Sequence, residues 1–131
     1  MITAKQLVCK ALCILFLGGF LTAPVFSQQV SSQQEIEQRK IEYLIGTIAN
    51  LKDAHFVRNG SEYDAPSAVD HLRLKLRYAG DRVKTAEDFI VYCASGSSMS
   101  GEKYWIKFPD GHMIDAAVFL RDKLAVYPHP F

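Results

Sequence analysis

At 131 residues, 49% of them apolar, the chain has room for one domain with a small core and none for two. Its 15 basic and 14 acidic side chains nearly cancel, which removes any global electrostatic argument for a nucleic-acid or membrane-surface binder.

Residues 1–27 carry Lys5 and Lys10, no acidic residue, and an apolar stretch over residues 11–23 broken only by two glycines and a threonine. A basic start followed by a short apolar run is the pattern of a secretory signal. A spanning helix needs about 20 apolar residues, and the run between Lys10 and Pro24 has only 13, so targeting is expected and anchoring is not. Val25, Phe26 and Ser27 before Gln28 suit a peptidase that wants small side chains one and three residues before the cut, so cleavage is expected after Ser27. Val8 and Leu12 precede Cys9 and Cys13, where a lipid-attachment cysteine needs a small residue. The expected product is a periplasmic protein, not a lipoprotein, with no membrane span after processing. Its 104 residues hold 13 basic and 14 acidic side chains and only one of the three cysteines, Cys93. An intramolecular disulfide is then impossible, and Cys93, on the helical face of Phe89 and Ile90, is expected to be buried.

Residues 28–34 are polar without an apolar anchor and read as a disordered leader to a single domain over 35–126. Ser32 with Glu35 makes a capping-box pattern, and Ile41, Leu44, Ile45, Ile48 and Leu51 form one apolar stripe of a first helix. Residues 55–58 read as a strand that turns through Asn59-Gly60, a type I′ pair, into a return at Glu62 and Tyr63. That turn accounts for Asn59-Gly60-Ser61 without invoking a glycan. Asp64 is a good N-cap, Pro66 fits the first helical turn, and Ala68, Val69, Leu72, Leu76 and Ala79 mark the buried side of a second helix that Gly80 stops. A third helix opens at Thr85, with Asp88 completing its box, and buries Phe89, Ile90 and Cys93. After a Ser and Gly loop over 96–101, residues 104–108 have strand composition, Pro109-Asp110-Gly111 turns, and 112–114 return. Asp115 caps a last helix with Ala117, Leu120 and Leu124 on its apolar side, and Pro128 and Pro130 make 127–131 an extended tail. Helix, hairpin, helix thus occurs twice, and Leu72-Arg73-x-Lys75-Leu76 is echoed by Leu120-Arg121-x-Lys123-Leu124, although aligning both features drops three residues. Isolated hairpins are marginal in water, so the expected fold is α+β: two β-hairpins in one antiparallel sheet packed by about four helices.

No motif completes a catalytic set. The run from Gly96 to Lys103 mimics a phosphate-binding loop, but its lysine comes one position late, Tyr104 replaces the hydroxyl residue, and it leads from helix to strand. Ser97, Ser98 and Ser100 offer hydroxyls, with His71 or His112 as a base, yet the Gly-x-Ser-x-Gly elbow is absent and serine-rich loops are usually turn chemistry. Histidines at 55, 71, 112 and 129 are scattered, so neither a metal nor any other cofactor is implied. His71, beside the buried position of Leu72, reads plainly as a boundary histidine bonded to backbone or hydroxyl. Arg73, Lys75, Arg77, Arg82 and Lys84 form the one basic run; Arg73 and Arg77 share a helix face that suits an anion, although such runs are mostly solvated surface, and no aromatic interleaving points to nucleic acid. Trp105 projects away from Tyr104, Ile106 and Phe108, either as a partner anchor or packed under the tail.

Phe56-Val-Arg-Asn-Gly60, His71-Leu-Arg-Leu-Lys-Leu76, Thr85-Ala-Glu-Asp-Phe-Ile90 and Ala94-Ser-Gly-Ser-Ser-Met-Ser-Gly-Glu-Lys-Tyr104, in this order, resemble the YfeK-like family of small exported bacterial proteins. The resemblance spans about residues 40–125 and implies a bacterial envelope protein; it supplies no activity and no catalytic residue. The expected function is a non-enzymatic binding or accessory module for an envelope protein or an anionic envelope component. Its expected surface joins Arg58 and Asn59 to Ser97, Ser98, Ser100 and Lys103, with His71 nearby. The alternatives are a small hydrolase using a loop serine with His71, and a structural or stress-protective envelope protein.

Overall fold

The structure, a computed structural model, describes residues 25–128 together with Gly19. Most of the expected signal segment and the end of the tail, residues 129–131, lie outside the described residues. Helix α1 spans Val25–Ala49, and Ile41, Leu44, Ile45 and Ile48 on its inner stripe are all 2% exposed or less. Its start differs from the expected one. The Ser32 hydroxyl donates to the Gln29 carbonyl at 2.9 Å, a bond inside a helix already under way, so Ser32 does not cap. Residues 28–34, expected as an unstructured leader, are turns of α1. No glycine or proline lies between Pro24 and Gly46, so no backbone breaker halts the helix there.

Strand β1 (His55–Arg58) turns at Asn59 and Gly60, both at positive φ (49° and 75°), into β2 (Ser61–Tyr63). Helix α2 (Ala65–Ala79) opens on Asp64, whose carboxylate accepts the Ser67 amide at 2.9 Å, and closes at Gly80, φ 53°. A 3-10 turn over Gly80–Arg82 leads to α3 (Ala86–Phe89), where Thr85 and Asp88 cap each other's amides as their spacing predicts. The helix then widens into a π turn over Ile90–Ala94 that buries Ile90, Cys93 and Ala94. Strands β3 (Trp105–Lys107) and β4 (Met113–Asp115) follow, each three residues long. Asp115 ends β4 and caps α4 (Ala116–Ala125) by accepting the Ala117 amide at 2.9 Å.

The four strands form one antiparallel sheet in the order β2-β1-β3-β4, because β1 pairs with both β2 and β3. Tyr63, Phe56, Ile106 and Ile114 line up across all four strands. Ile106 is fully buried, and Phe56 and Ile114 pack against the core cluster. Strand alternation therefore points Val57, Trp105 and Met113 to the opposite face. Trp105 is 37% exposed. Helix α1 packs on α2, α3 and α4, while α2 meets β1 and α4 meets β4. Among the described residues no helix is long and apolar enough to cross a membrane.

Candidate functional site

Because β1 alternates, Arg58 lies on the same side as Phe56, toward α2. There Leu72 is seated in the core, and its neighbour His71 is held at the core boundary. One turn further along α2 stands Lys75. Tyr104 enters from the residue before β3, anchored by its amide to the Ser95 carbonyl and by its own carbonyl to the Ala116 amide.

These four side chains make one network. Arg58 Nη1 lies 2.7 Å from His71 Nδ1 and 3.1 Å from Nε2, and His71 Nε2 lies 3.1 Å from the Tyr104 hydroxyl. A guanidinium only donates, so His71 must offer it a lone pair. The arrangement that satisfies both contacts is a neutral imidazole accepting from Arg58 at Nδ1 and donating Nε2–H to Tyr104, a tautomer assigned from the hydrogen-bond network. Burial, reinforced by the charges of Arg58 and Lys75, holds the His71 pKa below its ordinary value, which fits the neutral form. The Lys75 ammonium donates to the Gly96 carbonyl at 2.6 Å and lies 3.4 Å from the Tyr104 hydroxyl and 5.0 Å from its ring centroid. Burial lowers its pKa as well and raises that of Tyr104. Arg58 also donates to the Tyr63 hydroxyl at 3.3 Å, with its guanidinium carbon 4.8 Å from that ring's centroid. Among the described residues neither Arg58 nor Lys75 forms an ion pair with a carboxylate.

The network borders a cleft of about 510 Å³ between α2 and the sheet. Ile48, Leu72 and Leu120 give it an apolar floor; Arg58, Tyr63, His71 and Tyr104 bring polar atoms to it, and Asp70 and Arg77 stand on its exposed side.

The expected surface is divided by the fold. Asn59 Oδ1 accepts the Ser100 hydroxyl at 2.8 Å, so the first hairpin turn does meet the serine loop. Ser97 Oγ accepts the amides of Met99 and Ser100, which is turn chemistry. Ser97, Ser98 and Lys103 line a second hollow of about 520 Å³, with Tyr92, Arg82 and Arg121. Lys103 is paired there with Asp115 at 2.8 Å. Arg58 and His71 line the first cleft instead, and among the described residues no serine hydroxyl hydrogen-bonds an imidazole. The basic run is split too: Arg73 makes a two-pronged pair with Glu42 of α1, at 2.9 and 3.1 Å, Lys75 turns inward, and Arg82 lies over Tyr92. Sequence reasoning passed over Tyr63, Lys75 and Tyr104 as parts of one site. The four-residue spacing of His71 and Lys75 on α2 was the available signal. Among the described residues no cluster of three or more His, Cys, Asp or Glu could hold a metal ion.

Residues 35–128 match a family described as of unknown function, DUF5329. The chain is 38% identical over 100 residues to the uncharacterized protein YfeK of Salmonella typhimurium, an alignment covering 76% of each chain. No solved structure matches it.

Proposed function

Since this chain belongs to the DUF5329 family, for which no function is known, we propose from its own residues that it is an exported, periplasmic, non-enzymatic binding module whose ligand seat is the cleft beside Arg58 and His71. The observation that carries this reading is the cleft itself: about 510 Å³ of largely apolar space with a few convergent donors at one side, the usual make-up of a small-molecule site. Binding is favoured over hydrolysis because both nitrogens of His71 are already engaged, by Arg58 and Tyr104, and the hydroxyls of Ser97 and Ser100 are used within the loop and its turn contact. Of the two partner classes, an envelope protein or an anionic envelope component, the uncompensated charge of Arg58 favours the anion. Export rests on the basic and apolar pattern of residues 1–27.

Two measurements test this reading. The intact mass of the protein from a periplasmic fraction should correspond to residues 28–131; the unprocessed chain, or recovery in the cytosol alone, rejects export. A neutral apolar dye such as N-phenyl-1-naphthylamine should bind the folded protein. Ala68→Phe, which extends a cleft-lining side chain into the space, should remove that binding while the far-ultraviolet circular dichroism stays unchanged. Undiminished dye binding by the folded variant rejects the cleft as the seat.

A further inference from the structure

Resting on the reading of the cleft as a ligand seat, we propose that its natural ligand is an amphiphile with one acidic head, a carboxylate on an apolar body, and that Arg58 receives the head. Arg58 is half-buried, and its guanidinium has five N–H donors. The contacts to His71 and Tyr63 use at most three of them, leaving two or more for a ligand. These partners are neutral, so they satisfy donors without cancelling charge. A partly desolvated cation without a counter-ion is costly, and a carboxylate arriving at the planar fork of a guanidinium is the anion that its geometry suits.

The surroundings narrow the class further. Lys75 adds positive charge behind Tyr104, but its ammonium is tied to the Gly96 carbonyl and its side chain does not line the cleft. On the exposed side stand one further cation, Arg77, and one anion, Asp70. One guanidinium in direct reach suits a single acid group better than a polyanion. The remaining wall, with Ile48, Phe56, Leu72, Leu74 and Leu120, gives an extended apolar body surface to bury against.

Decanoate, decanol and inorganic phosphate are titrated separately into the processed protein at neutral pH and followed by calorimetry, with displacement of the neutral dye as the second readout. Decanoate should bind at least about tenfold more tightly than decanol, a difference of roughly 1.4 kcal/mol, and inorganic phosphate should not compete with it. In Arg58→Gln the advantage of decanoate should vanish while decanol affinity is kept. Equal affinity of decanoate and decanol for the unaltered protein overturns the acidic head while leaving the cleft in place. Competition by inorganic phosphate alone overturns the need for an apolar body. Failure of decanoate, decanol and the neutral dye together overturns the seat itself. The comparison of the two ten-carbon ligands on the unaltered protein keeps the proposal falsifiable should Arg58→Gln fail to fold.

Discussion

His71 is held between two cations, and this gives it a pH signature. Facing it are Arg58 from β1, Lys75 one turn on from its own position in α2, and the Tyr104 hydroxyl; burial and the two positive charges push its pKa below the ordinary value near 6.5. Above that ordinary pKa the imidazole is neutral in both folded and unfolded chains and adds no pH dependence. As pH falls from about 6.5 toward the lower folded pKa, the unfolded chain takes up a proton that the folded one refuses, so stability drops; below the folded pKa the loss levels off. Protonation also turns Nδ1 from acceptor to donor against the donors of Arg58. Urea unfolding midpoints should therefore decline between neutral and mildly acid pH. In His71→Gln, which keeps a side-chain acceptor but cannot titrate, that part of the decline should disappear; an unaltered slope contradicts the neutral assignment. Glu37 behaves in the opposite sense. Burial alone would raise its pKa, but the Lys40 ammonium at 2.7 Å and the Ala86 amide at 2.9 Å together hold it below the usual range. Its contribution is present above the unfolded carboxylate pKa and is lost as pH falls through the folded one. Glu37→Ala would leave the buried Ala86 amide without its partner and should cost about 1–3 kcal/mol in chemical denaturation, with Glu37→Gln costing less.

At the scale of elements, two glycines with different surroundings separate helix propensity from close backbone approach. Gly46 sits inside α1 with nothing within 4 Å of an added methyl group, so Gly46→Ala should stabilise the helix by about 0.5–1 kcal/mol. At Gly96 a Cβ would lie 2.7 Å from the Glu102 carbonyl oxygen, a backbone atom held by its bond to the Ser97 amide. Gly96→Ala should therefore destabilise by about 1–3 kcal/mol, because the loop must open where Gly96 pairs with Lys103. Equal effects of the two substitutions would show that the 96–103 loop yields freely. Where elements begin and end was legible when one local contact decides it: Asp64, Thr85 with Asp88, Gly80, Asp115 and the Asn59-Gly60 turn stand as their chemistry predicts. The start of α1 was not, because a capping pattern only permits a helix to begin, and at Ser32 an earlier turn already occupies the backbone. The widening to a π turn at Ile90 likewise had no signal in the apolar periodicity.

For the whole molecule, the sheet order β2-β1-β3-β4 places the first strands of the two hairpins side by side at the centre and their return strands at the edges. The order thus reads alike from either half, and each hairpin leads into an Asp-capped helix, α2 or α4. The shared core closes over Cys93, which is 0% exposed and whose thiol pKa burial raises. Under native conditions this thiol should stay unmodified by a disulfide reagent, and it should react promptly in denaturant; rapid native labelling of Cys93 would contradict the packing of the π turn against α2 and α4.

The amino-acid order alone settled the α+β class, the hairpins, most helix boundaries and the buried stripes, because each depends on residues within about one or two helical turns of each other. It also named Arg58, Asn59, His71 and the loop serines individually. Which of them meet was decided only by tertiary structure. Arg58 reaches His71 across 13 residues and His71 reaches Tyr104 across 33, contacts that exist because β1 pairs with β3 and α2 lies against β1. The serine loop meets the first turn through the bond of Ser100 to Asn59, and Lys103 shares a hollow with Asn59 and Gly60. Local chemistry fixes φ, ψ and caps, whereas a cleft is the space left between elements, and its shape belongs to no single stretch of chain.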